Sequence, residues 1–349
     1  MSDTREDLRE LLAAVVIDSP TQFRIRGELY QTSGLPGNPE PPLLPELRKA
    51  LYARLYARSD PQSAGFRDEL RNRTLGAELS AANCGKGTWE PGWIIQGPEE
   101  DGRIPVRKDQ LTLWVTPLQL RSLGNSARTG TPCRIRIGKE LRELMPGFYI
   151  AIGDGDERST RDEEGRLVRF YFHVEANGAA PFIRTVTMVL NRAGIPFRAK
   201  VVNQHEGFPR ADAAVLYVDK RDYKRVAPLL PAIHEPLSPL LRKPVPLFTK
   251  RLADGIGLAE DPQTEDSFGQ HRCRLVAQGL WSAFGSGRAD DDSRMTSISE
   301  SLAAAGLNVA ALYLQPGSVD DYVALGESGT VRAPDANAPK SVQKRKHRR

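Results

Sequence analysis

The sequence has few of the residues from which disulfide frameworks, metal sites and membrane spans are built. Its 349 residues include three cysteines and five histidines. Cys84, Cys133 and Cys273 are far apart and odd in number, which argues against a disulfide framework. No apolar run approaches the roughly 18 residues needed to cross a bilayer, and the polar first residues are not a signal peptide. We therefore expect a cytoplasmic protein with no metal, no cofactor and no membrane partner.

The body of the chain also lacks an excess of positive charge. The net charge is +5, but residues 340–349 alone carry six Lys and Arg side chains and no acid, which leaves the preceding residues at about −1. This balance argues against nucleic acid as a partner. Residues 331–349 are expected to form a disordered basic tail, because they combine this charge with a Pro, Ala and Asn stretch.

Periodicity divides the remaining chain into a helix-rich part and a mixed part. Apolar residues recur at helical spacing in residues 5–16, 43–57 and 64–82, and residues 22–30 alternate as a strand does. Residues 83–106 are expected to form a loop. The sequence therefore predicts a helix-rich N-terminal region, residues 1–108, for which we hypothesise a role in docking a leader peptide or a partner.

Residues 109–330 are predicted to form an α+β domain with a mixed or antiparallel sheet and packed helices. Short β-rich runs recur, and helices are predicted at residues 179–193, 220–241, 271–284 and 295–305. Residues 243–261 are expected to form a loop. The predicted strands cover residues 111–115, 133–137, 148–152, 167–174, 197–202 and 213–218.

Two of these strands carry cationic residues on one side. Strand alternation places Arg169, Tyr171 and His173 on one face of the first strand. In the second strand, Arg198 and Lys200 share a face. A solvated sheet face with surface arginines is one interpretation of this pattern; a positive wall that binds a ligand is the other.

Lysine, histidine and arginine together suit β-elimination of phosphate from phosphoserine or phosphothreonine. A lysine whose pKa is depressed by neighbouring cations can remove the Cα proton. Arginines pair with phosphate oxygens, and a histidine can protonate the bridging oxygen. Hydrolysis would instead need a nucleophile, and Cys273 does not lie in a Cys-x5-Arg loop.

Several longer runs resemble the HopA-type type III effector family. They are PGFYIAIG from Pro146, APFIR from Ala180, RADAAVLY from Arg210, FTK from Phe248 and SFGQHRCR from Ser267. Homologues of that family also occur in gene clusters for thioamitides and class V lanthipeptides. The resemblance implies a lyase that acts on a precursor peptide after a partner Ser/Thr kinase has phosphorylated it, leaving dehydroalanine or dehydrobutyrine.

The distantly similar phosphothreonine lyase effectors imply a role for each matching residue. In this resemblance His173 is the general acid, Lys200 the general base, and Arg210 and Tyr217 contact the phosphate. Arg169 replaces a family lysine on the same strand face, and Lys220 lies one place beyond the position of another. The phosphate-binding set implied by the resemblance and the strand faces is Arg169, Arg198, Arg210, Tyr217, Lys220, Lys250, Arg272 and Arg274.

Two other functions fit the same residues. The basic side chains suit a phosphopeptide-binding or kinase-scaffolding protein without catalysis. They also suit a secreted effector that modifies a host phosphoprotein, although the amphipathic helix at residues 5–16 is unlike a flexible Ser-rich export segment.

Overall fold

The structure, a computed structural model, describes residues 4–32, 40–59, 69–97, 101–123, 128–142, 144–155, 166–208 and 210–326. The expected basic tail at 331–349 and the start of the helix expected at 64–82 lie outside these ranges. The fold is α+β, as predicted. Its helices are α1 (Thr4–Ala14), α2 (Leu43–Ala50), α3 (Glu69–Ala82), α4 (Ala179–Arg192), α5 (Tyr223–Val226), α6 (Leu230–Leu237), α7 (Phe268–Gly285) and α8 (Asp291–Ala304). A π-helical turn, Leu51–Tyr56, extends α2.

The strands form three antiparallel sheets within the described residues. They are β1 (Val15–Ser19), β2 (Gln22–Ile25), β3 (Glu28–Gln31), β4 (Thr88–Ile95), β5 (Ile104–Lys108), β6 (Leu111–Val115), β7 (Leu120–Ser122), β8 (Pro132–Ile137), β9 (Glu140–Leu141), β10 (Phe148–Ile152), β11 (Leu167–Phe172), β12 (Arg198–Val202), β13 (Ala214–Asp219), β14 (Lys250–Ala253) and β15 (Ile256–Glu260). The strand orders are β1-β2-β3, β6-β5-β4-β8-β7 and β14-β15-β11-β13-β12-β10-β9.

Three sequence predictions are wrong at the level of elements. The loop expected at residues 83–106 contains β4 and β5, and the loop expected at 243–261 contains the β14–β15 hairpin. The single helix expected at 220–241 is divided into short α and 3-10 segments. Four prolines in that stretch remove backbone N–H donors, which explains the interruptions. The boundary expected at residue 108 falls next to the turn between β5 and β6, which pair with each other.

The seven-stranded sheet has two different faces. Phe170 and Phe172 of β11 point to one side, where they pack against Tyr223 of α5 and Phe182 of α4. We call this side the helix face. Because side chains alternate along a strand, Arg169 and Tyr171 point to the other side, which we call the cavity face.

The N-terminal residues cover part of the cavity face. The rings of Tyr56 and Phe268 both pack near Tyr171, with centroids 6.4 and 6.3 Å from its ring. Tyr56 follows α2, and Phe268 begins α7, where the Ser267 side chain caps the helix. The N-terminal region therefore contributes directly to the core around this face, with many of its apolar side chains in the same cluster as the sheet.

Helices α7 and α8 approach each other closely at Gly279. A Cβ placed there would lie 2.5 Å from the Ile298 Cα and 2.9 Å from the Ile298 N and the Ser297 carbonyl oxygen, all of which are backbone atoms. We expect Gly279→Ala to lower the free energy of unfolding by about 1–3 kcal/mol through overpacking. Gly285→Ala, at an exposed position of the same helix with open space around it, is the matched control and should change stability by less than about 1 kcal/mol. Urea unfolding of both variants measures the difference, and equal stabilities would contradict the packing account.

Candidate functional site

Lys200 lies on the cavity face in the middle of β12. It sits between Ile150 of β10 and Val215 of β13 in the sheet. Its Nζ is 4.3 Å from the centre of the Phe148 ring and 3.9 Å from the sulfur of Met145. Burial in these apolar surroundings is the main reason why the pKa of Lys200 is lowered from 10.5 to about 8; Asp212 opposes the change, and Arg210 and Arg169 contribute to it. At that pKa roughly a tenth of the amine is neutral at pH 7.

Arg210 lies beside Lys200 and contacts two residues, Asp212 and Tyr52, that the sequence analysis did not assign to the site. Its guanidinium donates to both carboxylate oxygens of Asp212, at 2.6 and 2.9 Å. The Tyr52 hydroxyl donates to the same carboxylate at 2.7 Å and accepts from Arg210 at 3.2 Å. Although burial alone would raise the pKa of Asp212, Arg210 and Tyr52 lower it on balance, so the carboxylate is ionised. Tyr52 thus joins the N-terminal region to the site.

Arg169 occupies the neighbouring part of the cavity face. It is paired across the sheet with Tyr217, and its guanidinium lies 5.4 Å from the centre of that ring. The Nε donates to Asp261 at 2.7 Å, and Nη2 donates to the same carboxylate oxygen. This places Tyr217, the predicted strand tyrosine, against a guanidinium that is already paired with a carboxylate.

A cavity of about 530 Å³ opens over this part of the sheet. It is large enough for a side chain and its flanking backbone. One wall is polar and carries side chains of both charges, and the other is apolar and comes from β9, β10 and the segment between them. The polar wall includes Arg169, Arg198, Lys200 and Tyr217 together with Asp219, Asp222 and Asp261, and the apolar wall includes Leu141, Leu144, Met145 and Ile150.

His173 lies on the same face of the sheet as Lys200, but it is more buried and lies further from the cavity. Lys200, Val215 and Tyr171 form one row across three strands, and His173 follows Tyr171 by two residues. Strand spacing puts the Cα atoms of His173 and Lys200 roughly 12 Å apart. His173 is buried, with 5% of the residue exposed, and it is not part of the cavity wall.

The environment of His173 favours its neutral form. Burial lowers the pKa of His173 below 6.5, and the hydrogen bond between its Nδ1 and the Pro244 carbonyl, at 2.8 Å, only partly opposes this. Because a carbonyl accepts, Nδ1 carries the proton, and Nε2 of the neutral ring is an acceptor. A role as proton donor then requires an anion nearby to raise its pKa.

Lys220 and Lys250 do not join the cavity. Lys220 Nζ bonds Glu260 at 2.5 Å, and Lys250 Nζ bonds Asp320 at 2.7 and 2.8 Å. Glu260 is opposite Val168, whose side chain belongs to the helix face. The structure therefore places these two lysines away from Lys200, on the other side of the sheet.

Arg272 and Arg274 also lie outside the cavity wall. Arg272 is fully buried and donates to the Leu312 and Leu314 carbonyls at 2.8 and 2.9 Å, which ties α7 to the segment after α8. Burial lowers the pKa of Arg272 to about 10. Arg274 donates to Asp266 at 2.9 Å near the start of the same helix. Their contacts are those of structural residues.

The expectation of a basic wall without carboxylates is corrected by these contacts. Asp212 and Asp261 lie at the site and neutralise Arg210 and Arg169. The Arg-x-Asp spacing at 210–212 was a signal for the first pair. Asp261 follows a strand that the sequence did not predict, so its position was not foreseeable.

Two features of the described residues bear on wider classes of function. In those ranges, no group of three or more His, Cys, Asp or Glu side chains is arranged to hold a metal ion. None of the helices described is long and apolar enough to span a membrane.

The sheet that carries Lys200 lies in a segment shared with a known family. A family model described as the HopA1 effector protein family matches residues 140–314. The chain belongs to the HopA1 effector protein family. Lys200, His173, Arg169 and Arg210 all fall in the matched segment, whereas Tyr52 precedes it.

Among solved structures, the chain is similar to two effector proteins of Pseudomonas syringae. For the effector of pathovar tomato strain DC3000, the identity is 17% and the TM-score 0.43, covering 77% of this chain and 90% of that one. For the effector of pathovar syringae strain 61, the identity is 17% and the TM-score 0.41, covering 77% and 88%. Comparison with curated protein sequences gives no match.

Proposed function

We propose that this chain is a phospho-Ser/Thr lyase that acts on a phosphorylated precursor peptide. The observation that carries the proposal is Lys200, an amine with its pKa lowered to about 8 on the wall of a cavity that also presents Arg169 and Arg198. An amine has to be neutral to take a Cα proton, and the lowered pKa raises the neutral fraction of Lys200 at pH 7 from well below a thousandth to roughly a tenth.

The elimination uses the chain's own side chains. The neutral amine of Lys200 takes the Cα proton, the C–H electron pair forms the Cα=Cβ bond, and the Cβ–O bond breaks. Phosphate departs with the electron pair of the Cβ–O bond on its bridging oxygen, and dehydroalanine or dehydrobutyrine remains in the peptide. The negative phosphate raises the pKa of His173, so that its Nε2 can deliver a proton to the leaving oxygen.

Capture of the phosphate requires the arginines to exchange partners. Arg169 and Arg210 are held by Asp261 and Asp212 before substrate binds. A phosphate dianion offers more negative charge than a carboxylate and accepts the same bidentate fork. The proposal also implies a Ser/Thr kinase that supplies the phosphopeptide, because the reaction consumes a phosphate ester that this chain does not make.

The role of His173 separates a lyase from a phosphopeptide binder. We expect His173→Gln to slow elimination by roughly 10²-fold with little change in KM, because proton delivery to the leaving group is lost. The control is His205→Gln, an exposed histidine elsewhere on the chain. Single-turnover mass spectrometry of a phosphopeptide measures the rate.

A non-catalytic phosphopeptide-binding protein is the second candidate. It is favoured by the placement of His173 outside the cavity wall. On that account, wild-type protein binds phosphopeptide and releases it unchanged, and His173→Gln has no effect on any product.

A further inference from the structure

Three large apolar side chains at the mouth of the Lys200 cavity are exposed to solvent. Leu144 is 67% exposed, Met145 41% and Leu167 36%. All three line the same cavity, and we call them the apolar rim. Single exposed apolar residues are ordinary on a protein surface, but three around one concave site are typical of a place where an apolar group of a ligand binds.

The backbone that presents the rim is a defined tight turn. The Phe148 N–H donates to the Met145 carbonyl at 3.1 Å, which closes the turn. Pro146 and Gly147 are its central residues, and Gly147 has a φ of 82°, as the third position of a type II turn requires. The Asn203 N–H donates to the Gly147 carbonyl at 3.1 Å and fixes the turn to the end of β12. The rim is therefore held in place beside β12 by backbone hydrogen bonds.

The apolar rim and the cationic part of the cavity meet at Lys200. The sulfur of Met145 lies 3.9 Å from the Lys200 Nζ. The acids of the polar wall are each paired with an arginine, which reduces their repulsion of an anion. These pairs are Asp219 with Arg221, Asp222 with Arg225 and Asp261 with Arg169. A ligand that fills the cavity therefore needs an anionic group and an apolar group close together.

An extended phosphopeptide satisfies both requirements. Successive side chains of an extended chain point in opposite directions. When a phosphorylated side chain points to the polar wall, the side chains directly before and after it point to the other wall, where Leu144 and Met145 lie. Inorganic phosphate or a free phosphoamino acid would leave the apolar rim exposed.

We propose that the cavity selects peptides in which a large apolar residue stands directly beside the phosphorylated Ser or Thr, and that the apolar rim binds this residue. The proposal names the class of substrate for the proposed function and rests on it. A leucine that buries about half of its side chain against the rim should improve affinity about tenfold over an alanine at the same position.

The test measures binding of two fluorescein-labelled peptides to the full chain by fluorescence anisotropy. Both contain the methylene phosphonate analogue of phosphothreonine, which has no bridging oxygen and cannot be eliminated. One peptide has leucine on both sides of the analogue, and the other has alanine. Wild-type protein should bind the leucine peptide with a Kd about tenfold lower.

A double variant of the rim removes the preference without removing the charges. Leu144→Ser with Leu167→Thr should bring the two Kd values within about twofold, while the Kd of the alanine peptide stays unchanged, which also shows that the variant is folded. The matched control is Leu118→Ser with Leu123→Ser, two exposed leucines outside the cavity wall. It should keep the tenfold preference.

Three results would overturn the proposal. They are equal Kd values of the two peptides or no binding of either to wild type, an undiminished preference in the rim variant, and a wild-type dimer that the rim variant abolishes, which would assign the rim to a second copy of the chain. The lyase reaction is tested separately. If wild type shows the preference but leaves the mass of a phosphothreonine peptide unchanged, the rim binds as proposed and only the elimination is wrong.

Discussion

Lys200→Met should abolish phosphate elimination while making the fold more stable. The methionine keeps the length and apolar stem of the side chain but has no basic nitrogen. We expect the single-turnover rate with phosphopeptide to fall by at least about 10²-fold, the usual loss when a general base is removed. Binding of the phosphopeptide, measured by anisotropy, should be retained because Arg169 and Arg198 still line the cavity.

The gain in stability follows from the pKa of Lys200. In the folded chain this pKa is lowered from 10.5 to about 8, so below pH 8 folding forces a charged amine into an unfavourable site. The penalty disappears as pH rises from about 8 to 10.5, where the folded form has already lost the proton. Lys200→Met should therefore raise the free energy of unfolding by about 1–3 kcal/mol at pH 7, and by much less at pH 10.

Lys200→Arg is the control for charge. It preserves a cation but cannot supply a neutral base, so it should be as inactive as Lys200→Met. An active Lys200→Met, or a Lys200→Met protein less stable than wild type at pH 7, would show that Lys200 is not the desolvated base described above.

Asp212→Asn should produce the largest loss of stability among single substitutions at the site. The change leaves Arg210 without its counter-charge in a largely buried position, and Tyr52 loses its ionised acceptor. We expect the free energy of unfolding to fall by about 2–4 kcal/mol, as is usual when one member of a buried ion pair is removed. Urea unfolding near pH 7 measures this change.

Asp266→Asn is the matched control, because Asp266 pairs with Arg274 at a more exposed position. Its loss should cost less than about 1 kcal/mol. Asp212→Asn should also lower the pKa of Lys200 further, since Asp212 favours the charged amine. An NMR titration of methyl-labelled lysines reports that pKa. A shift upwards, or equal stabilities of the two Asn variants, would contradict the assigned contacts.

The strands around the site could be predicted because their side chains alternate clearly. In β11, the sequence placed Arg169 and Tyr171 on one side and Phe170 on the other, and the structure confirms that division. The β14–β15 hairpin was missed because every residue of β15 is buried, so no polar and apolar alternation marks it. β4 was missed because Pro91 and Gly92 interrupt it at a register irregularity.

The basic residues of the site could be predicted from the sequence, but the acidic and tyrosine side chains that pair with them could not. Lys200, Arg169 and Arg198 were expected on one face, and they line one cavity. Lys220 pairs with Glu260, and Lys250 pairs with Asp320. Both acids are distant in sequence from their lysines, so the pairs form only through tertiary packing. Tyr52, 160 residues from Asp212, illustrates the same point: no local pattern indicates that contact.

The most direct measurement is the mass of a phosphothreonine peptide after incubation with wild-type protein. The proposed elimination predicts loss of phosphoric acid, H3PO4, which leaves dehydrobutyrine in the peptide, and no such loss with Lys200→Met. A peptide of unchanged mass, with the authentic kinase product as substrate, would contradict the account. Loss of HPO3 with regeneration of threonine would contradict it as well, because it reports hydrolysis.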